Sequence, residues 1–293
     1  MKSLSLSIVA CLFGCAVFGA QEKEGLVAPP PEPSKLIVES PRNPALPTLW
    51  IAGDSTAANG GPDATGWGVP FPRYFDSAKI NVVNRARGGR SSRTFITEGL
   101  WESIVRELKP GDTVLIQFGH NDAGALNAEP PGSKSPLRAR GSIRSLGEET
   151  EEIDNVLTKR REVVHTYGWY LRQMVADTKA KGATPILLSI TVRNEWKDGK
   201  VERHNGPWNA FAAEVAKSGG IAFIDLNTLI ADRYEQLGAE KVKTLFPKDH
   251  THTGPEGADL NASLVVAGLR GLPDHPFDSA LSPATGISGG QGH

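Results

Sequence analysis

The amino-acid sequence predicts an α/β fold with a mostly parallel sheet of about five strands, covered on both faces by helices. Three observations predict it. Apolar runs of four to six residues recur along the central part of the chain. Helix-like stretches separate these runs. Gly and Asp flank them, which at this length favours strands over buried helix. In such folds ligands bind at the carboxyl ends of the strands, so those ends are where chemistry is expected.

The first element is not part of the fold. Met1-Lys2 is followed by an apolar run from Leu4 to Phe18 and by the small residues Gly19-Ala20. That layout predicts a secretory signal peptide over residues 1–20, cleaved near Gly19 or Ala20, and hence a secreted or periplasmic protein. The run is shorter than the ~20 residues of a membrane span, so no span is expected. Both cysteines, Cys11 and Cys15, lie inside it. The exported chain would therefore have neither a disulfide nor a thiol nucleophile. Leu12-Phe13-Gly14-Cys15 loosely resembles a lipoprotein signal. Against a lipid anchor at Cys15 stand the bulky Phe13 and the apolar residues that follow. Residues 21–46, with Pro29-Pro30-Pro31, Pro33, Pro41 and Pro44, predict a stiff extended leader. Residues 47–272 form the expected domain. Residues 273–293, rich in Gly, Ser and Pro, are expected to be a flexible tail.

Within the domain, strands are predicted at Leu49-Trp50-Ile51-Ala52, Ile80 to Val83, Thr113 to Phe118, Pro185 to Ile190 and Ile221 to Ile224. Helices are predicted near 97–108, 160–182, 207–218, 228–238 and 256–269. The segment 123–158 interrupts the alternation with Pro130-Pro131, Gly132 and an acidic stretch around Glu148 to Glu152. A loop this long is uncommon in a compact domain unless it is functional. It follows a strand end, so it either walls the site or is an inconsequential surface insertion.

Composition narrows the partners. The 293 residues carry a formal net charge of −1, with 39% hydrophobic and 22% charged residues, as in ordinary soluble globular proteins. With neither sign in excess, no strong attraction to nucleic acid is expected. A monomer is expected.

Four strand ends or loops carry residues able to do chemistry. Ser55, in Gly53-Asp54-Ser55-Thr56, ends the first strand. A following helix would present free N–H groups to a developing negative charge there. An N-cap serine is the competing reading. Asp54 reads as a structural anchor of the turn. After the second strand, Gly88-Gly89 allows close backbone approach, and a glycine N–H can donate to an oxyanion. Gly89, which directly precedes Arg90, is favoured over Gly88. Asn121, in Gly119-His120-Asn121-Asp122 after the third strand, offers an amide donor at the same rim. Asp249-His250-Thr251-His252 places a carboxylate and an imidazole three residues apart on one loop. A serine hydroxyl needs a base, and the base needs a carboxylate to hold its tautomer. The competing reading is a metal site formed by Asp249, His250 and His252. Neither metal nor cofactor is expected under the serine reading. His250 reads as structural, although it is the rival base.

Together these blocks resemble the SGNH (GDSL-like) hydrolase superfamily, with Ser55, Gly89, Asn121 and His252 as the four named residues and Asp249 completing a triad. More narrowly they resemble rhamnogalacturonan acetylesterases, through Gly-Asp-Ser-Thr at 53–56, Gly-Arg-Ser-Ser-Arg at 89–93, Gly-His-Asn-Asp at 119–122 and Asp-His-Thr-His-Thr at 249–253. His165-Thr-Tyr-Gly-Trp169 is similar too. The resemblance covers about residues 47–270. It implies a three-layer α/β/α sandwich with a flavodoxin-like sheet and hydrolysis of acetyl esters on plant pectin by a Ser-His-Asp triad. It also implies an oxyanion hole of Ser55, Gly89 and Asn121. The expected partner is then an acetylated polysaccharide or oligosaccharide, pectin or another acylated glycan such as xylan. Arg85, Arg87, Arg90 and Arg93 crowd the segment beside the glycines. Arg90 is expected to pair with uronate carboxylates, the alternative being a structural charge cluster. Trp67, between Gly66 and Gly68, is expected either to stack on a sugar or to lie in the core.

Overall fold

The computed structural model describes residues 39–128, 138–203 and 206–282. The expected signal peptide, Cys15 and most of the expected proline-rich leader lie outside the described residues, as do 283–293.

Five strands form the central sheet: β1 (Thr48–Gly53), β2 (Asn81–Asn84), β3 (Thr113–Gln117), β6 (Thr184–Leu188) and β9 (Ala222–Ile224), in the order β2-β1-β3-β6-β9. All neighbours run parallel. This is the flavodoxin-like order, and the connection reverses direction between β1 and β3. Two hairpins lie outside the sheet: β4 (Thr150–Asp154) with β5 (Arg161–His165), and β7 (Trp196–Lys197) with β8 (Lys200–Val201).

The period-2 alternation of a strand sorts side chains to two faces. Leu49, Ile51, Leu115, Ile186 and Leu188 point into one apolar cluster; Trp50, Ala52, Val114, Ile116 and Leu187 point into the other. Helices α1 (Ser92–Thr97), α2 (Leu100–Val105), α3 (Tyr167–Ala180) and α4 (Trp208–Gly219) cover the second cluster. The first is covered by α5 (Leu226–Leu237), α6 (Ala239–Thr244) and α7 (Pro255–Arg270). A three-layer α/β/α sandwich results.

Three expectations are corrected. The helix predicted over 160–182 starts only after Thr166, whose side chain caps it by accepting from Trp169 N. Residues 161–165 are a strand instead, pairing with β4 and turning the end of the 123–158 segment, from Thr150 on, into a hairpin. The helix expected near 97–108 begins at Ser92 and breaks at Gly99, a residue with φ +76°. Finally, residues 273–282 are no loose tail. Phe277 and Leu281 are buried, Leu281 bridges to Phe75, and Ser282 N donates to Tyr74 O at 3.0 Å. Among the described residues, no helix is long and apolar enough to cross a membrane.

Candidate active site

The site forms where the carboxyl ends of β1, β2 and β3 meet the loop between α6 and α7. Asp54 shapes the first turn. Its buried Oδ1 accepts from Thr56 N at 2.9 Å and from Thr56 Oγ1 at 2.8 Å, while its carbonyl accepts from Ala57 N and Ala58 N. Such a side-chain-closed turn fixes the residue between, Ser55, and leaves it half buried at the sheet edge. No helix follows Ser55, contrary to expectation: the chain turns and next becomes helical only at Phe71–Tyr74. A helix dipole at Ser55 therefore drops out of the electrostatics.

Ser55 Oγ lies 2.9 Å from His252 Nε2, and His252 Nδ1 lies 2.8 Å from Asp249 Oδ2. An ionised carboxylate only accepts, so Nδ1 carries the proton and Nε2 faces the hydroxyl as an acceptor. Asp249 Oδ1 also accepts from Thr251 N at 2.7 Å and from His252 N at 2.8 Å. Burial alone would raise the Asp249 pKa. The bonds from the His252 ring and from the two amides outweigh it and bring the carboxyl down to about 2. The loop is fastened across the site: Thr65 N donates to Thr253 O at 2.8 Å, and Thr253 Oγ1 donates to Thr65 O at 2.8 Å. The His250 ring faces Glu195 at 3.5 Å, whereas Ser55 is met by His252. Asp249, His250 and His252 thus do not converge on one point.

On the other side of Ser55, Gly89 adopts φ +77°, the left-handed region open to glycine. A Cβ on Gly88 would sit 3.8 Å from Ser55 Cβ, so the glycine pair runs alongside the serine. Among the described residues, the backbone amides of Ser55, Gly88 and Gly89 donate to no protein acceptor. The loop ends at Ser91, which caps α1 through a reciprocal box with Thr94. Asn121 is buried and donates one Nδ2 hydrogen to Arg90 O at 2.9 Å, leaving its second hydrogen uncommitted. Next to it, buried Asp122 accepts from Ser92 N at 3.2 Å, Ser92 Oγ at 2.5 Å and Ser142 Oγ at 3.0 Å. Burial, the largest influence, pushes this carboxyl up to about 6 despite those bonds. His120, also beside the site, bonds Thr191 Oγ1 at 3.1 Å, and burial holds its pKa below the ordinary value.

Two expected substrate contacts are placed differently. Trp67 is fully buried, donates to Gln117 Oε1 at 2.9 Å and packs edge-on against Phe71. A Cβ on Gly66 would collide with the backbone of Ala57 and Ala58, so the flanking glycine serves to press Trp67 into the core. The sugar-stacking reading of Trp67 is therefore replaced by a core role. Arg90 is half buried, with Nε on Glu98 at 2.8 Å and Nη1 on Gly88 O at 3.0 Å. Arg85 and Arg93 are buried on Glu107 and Glu162. Of the four, Arg87 alone is exposed with no carboxylate partner among the described residues.

Sequence reasoning missed Arg140 and Arg193. Arg140, from the inserted segment, brings Nη1 to 3.5 Å from Gly89 O. Arg193 follows β6, and its Nε is buried without an acceptor. The strand-end rule could have found Arg193; nothing in the irregular insertion marks Arg140. A cavity of about 640 Å³ lies beside Asn121, lined by Asp122, Gly124, Ser142, Arg144, Glu151 and Trp208. The insertion therefore supplies a wall next to Asn121, although none of Ser55, Asp249 and His252 lines this cavity.

A parallel-sheet sandwich carrying a serine, an imidazole and a carboxylate in hydrogen-bonded series defines the class of α/β hydrolytic enzymes. The model of the GDSL-like lipase/acylhydrolase family matches residues 51–260. The rhamnogalacturonan acetylesterase of Emericella nidulans is 33% identical over 75% of this chain and 83% of its own length. The probable rhamnogalacturonan acetylesterase YesY of Bacillus subtilis is 30% identical over 77% of this chain and 94% of its own. The crystal structure of the Bacillus subtilis protein YxiM superposes with a TM-score of 0.60 at 27% identity, over 77% of this chain and 56% of that one, so this chain spans little more than half of it. The chain belongs to the GDSL-like lipase/acylhydrolase family and is a carboxylic ester hydrolase.

Proposed function

We propose that this protein is an exported serine acetylesterase that removes O-acetyl groups from a polysaccharide, pectin of the rhamnogalacturonan type. The observation that carries the reading is the unbroken series Ser55 Oγ, His252, Asp249, with contacts of 2.9 and 2.8 Å. The names of the relatives support the acetyl and pectin parts. Export is supported by the Lys2-headed apolar run from Leu4 to Phe18.

In this mechanism His252 Nε2 takes the Ser55 proton as Oγ attacks the acetyl carbonyl. Asp249, ionised at any pH above about 2, stabilises the imidazolium. The backbone amides of Ser55 and Gly89 and the free Asn121 hydrogen receive the oxyanion. His252 then protonates the departing sugar oxygen, and a water deprotonated by the same ring releases acetate from Ser55.

The test is acetate release from acetylated rhamnogalacturonan, acetylated homogalacturonan and acetylated xylan, by wild type and by Ser55→Ala. Wild type is expected to favour rhamnogalacturonan, and the variant to lose at least about 10⁴ in turnover while keeping its fold. Wild-type rates in Ser55→Ala would overturn the nucleophile, and faster release from xylan would overturn the pectin assignment.

A further inference from the structure

The glycine pair beside Ser55 sits in a β-turn whose middle peptide can face two ways. Arg90 N donates to Arg87 O at 3.3 Å, which closes the turn Arg87-Gly88-Gly89-Arg90. Gly89 rather than Gly88 takes the positive φ, +77°, the mark of a type II turn with glycine in its third place. Types I and II share the closing bond and differ by about half a rotation of the central peptide. That peptide is trans, so the Gly88 carbonyl and the Gly89 N–H point to opposite sides of it. Glycine at both ends lets either orientation form at little steric cost. With the Gly89 N–H as an oxyanion donor, half a rotation would bring the negative end of a carbonyl to the developing charge instead.

A side chain holds this peptide. Arg90 Nη1 donates to Gly88 O at 3.0 Å. The guanidinium is itself anchored, with Nε on Glu98 Oε2 at 2.8 Å. Glu98 closes α1 and Ser91 opens it, so the anchor and the root of the side chain flank one short helix. The next two carbonyls also meet side-chain donors. Gly89 O lies 3.5 Å from Arg140 Nη1, and Arg90 O accepts from Asn121 Nδ2 at 2.9 Å. Of the three carbonyls, only that of Gly88 shares a peptide with the Gly89 N–H. A charged donor on a carbonyl polarises the amide, which makes its N–H a stronger donor on the far side.

We propose that Arg90 is a positioning residue that locks the Gly88–Gly89 peptide in the orientation aiming the Gly89 N–H at the oxyanion. This rests on the serine esterase reading above and on its oxyanion hole. It gives the guanidinium a task at the transition state that is independent of the alcohol part of the ester.

The experiment measures kcat and KM on p-nitrophenyl acetate, an ester with no carboxylate, for wild type, Arg90→Met, Arg90→Lys and Asn121→Ala. Urea unfolding midpoints are taken alongside, and rates are compared where every variant is folded. Arg90→Met keeps the apolar stem and removes the donor. The bond is partly open to water, so kcat is expected to fall about tenfold, with KM within about twofold of wild type. Arg90→Lys should recover part of the loss, because an ammonium can still donate to the Gly88 carbonyl. A merely structural role would lower the unfolding midpoint and leave kcat of the folded enzyme unchanged. Wild-type kcat in Arg90→Met overturns the proposal, and so does a loss confined to KM. If Asn121→Ala is slowed in that same experiment, the oxyanion hole stands without the lock. If neither variant is slowed, the oxyanion hole falls with it, and a wild type that releases no acetate from any ester removes the esterase reading as well.

Discussion

Asn121 offers the sharpest test of the oxyanion side because its amide has two separable jobs. One Nδ2 hydrogen holds Arg90 O at 2.9 Å, and the other is the proposed oxyanion donor. Asn121→Ala removes both. Losing one oxyanion donor lowers turnover by roughly 10²–10³, or about 2.7–4 kcal/mol of transition-state stabilisation. Losing the buried bond to Arg90 lowers stability by only about 0.5–1.5 kcal/mol. The two effects are read by different assays: kcat on p-nitrophenyl acetate and the urea unfolding midpoint. Both acylation and deacylation pass through a tetrahedral oxyanion, so the slowing should appear whichever step limits turnover. A variant that unfolds near the wild-type midpoint yet turns over within about threefold of wild type would refute the assignment. In that case Asn121 would be only a tie for the Arg90 carbonyl.

Two further outcomes are expected. Asp122 is held at about 6 by burial, above its ordinary value of 3.8, so the folded state holds its proton more tightly than the unfolded chain. Its stabilising contribution is present in full below about pH 4 and is lost as the pH rises through about 6, by roughly 3 kcal/mol at most. Asp122→Asn should flatten that part of a urea-midpoint profile measured between pH 4 and 8, and parallel wild-type and variant profiles would contradict the burial argument. Trp67→Ala should lower stability by about 3–5 kcal/mol, since the ring is wholly enclosed. A near-normal unfolding midpoint with a raised KM on polysaccharide would return Trp67 to the substrate.

The central sheet was legible because parallel strands buried on both faces leave contiguous apolar runs, such as Val114-Leu115-Ile116 in β3. The β4–β5 hairpin was not, because it buries little: Ile153 and Val164 are the only buried residues of its two strands, so period-2 patterning is nearly absent. The helix boundary at Thr166 was signalled by a capping residue type, but the apolar pair Val163-Val164 extended the helical pattern across it. In the site, Asp249 and His252 were legible because they lie three positions apart on one loop. The turn after Ser55 was misread as a helix start because Asp54 closes it by side-chain bonds that the sequence alone cannot tell from a cap. Arg90 was misweighted since its partner, Glu98, lies eight residues on, beyond helical neighbour spacing.

The packing of Phe277 and Leu281 against Phe75 and Tyr74 has a bearing on where the gene can be cut. Trimming for crystallisation or fusion at 272, the boundary that composition suggests, would strip Phe277 and Leu281 from the apolar cluster that α5, α6 and α7 cover. It would also leave the backbone of Asp76, which donates to Ala280 O at 2.8 Å, without its cross-chain acceptor. A terminus set after Ser282 keeps that clasp, and with it the anchorage of the short helical turn at Phe71–Tyr74 on which Trp67 rests.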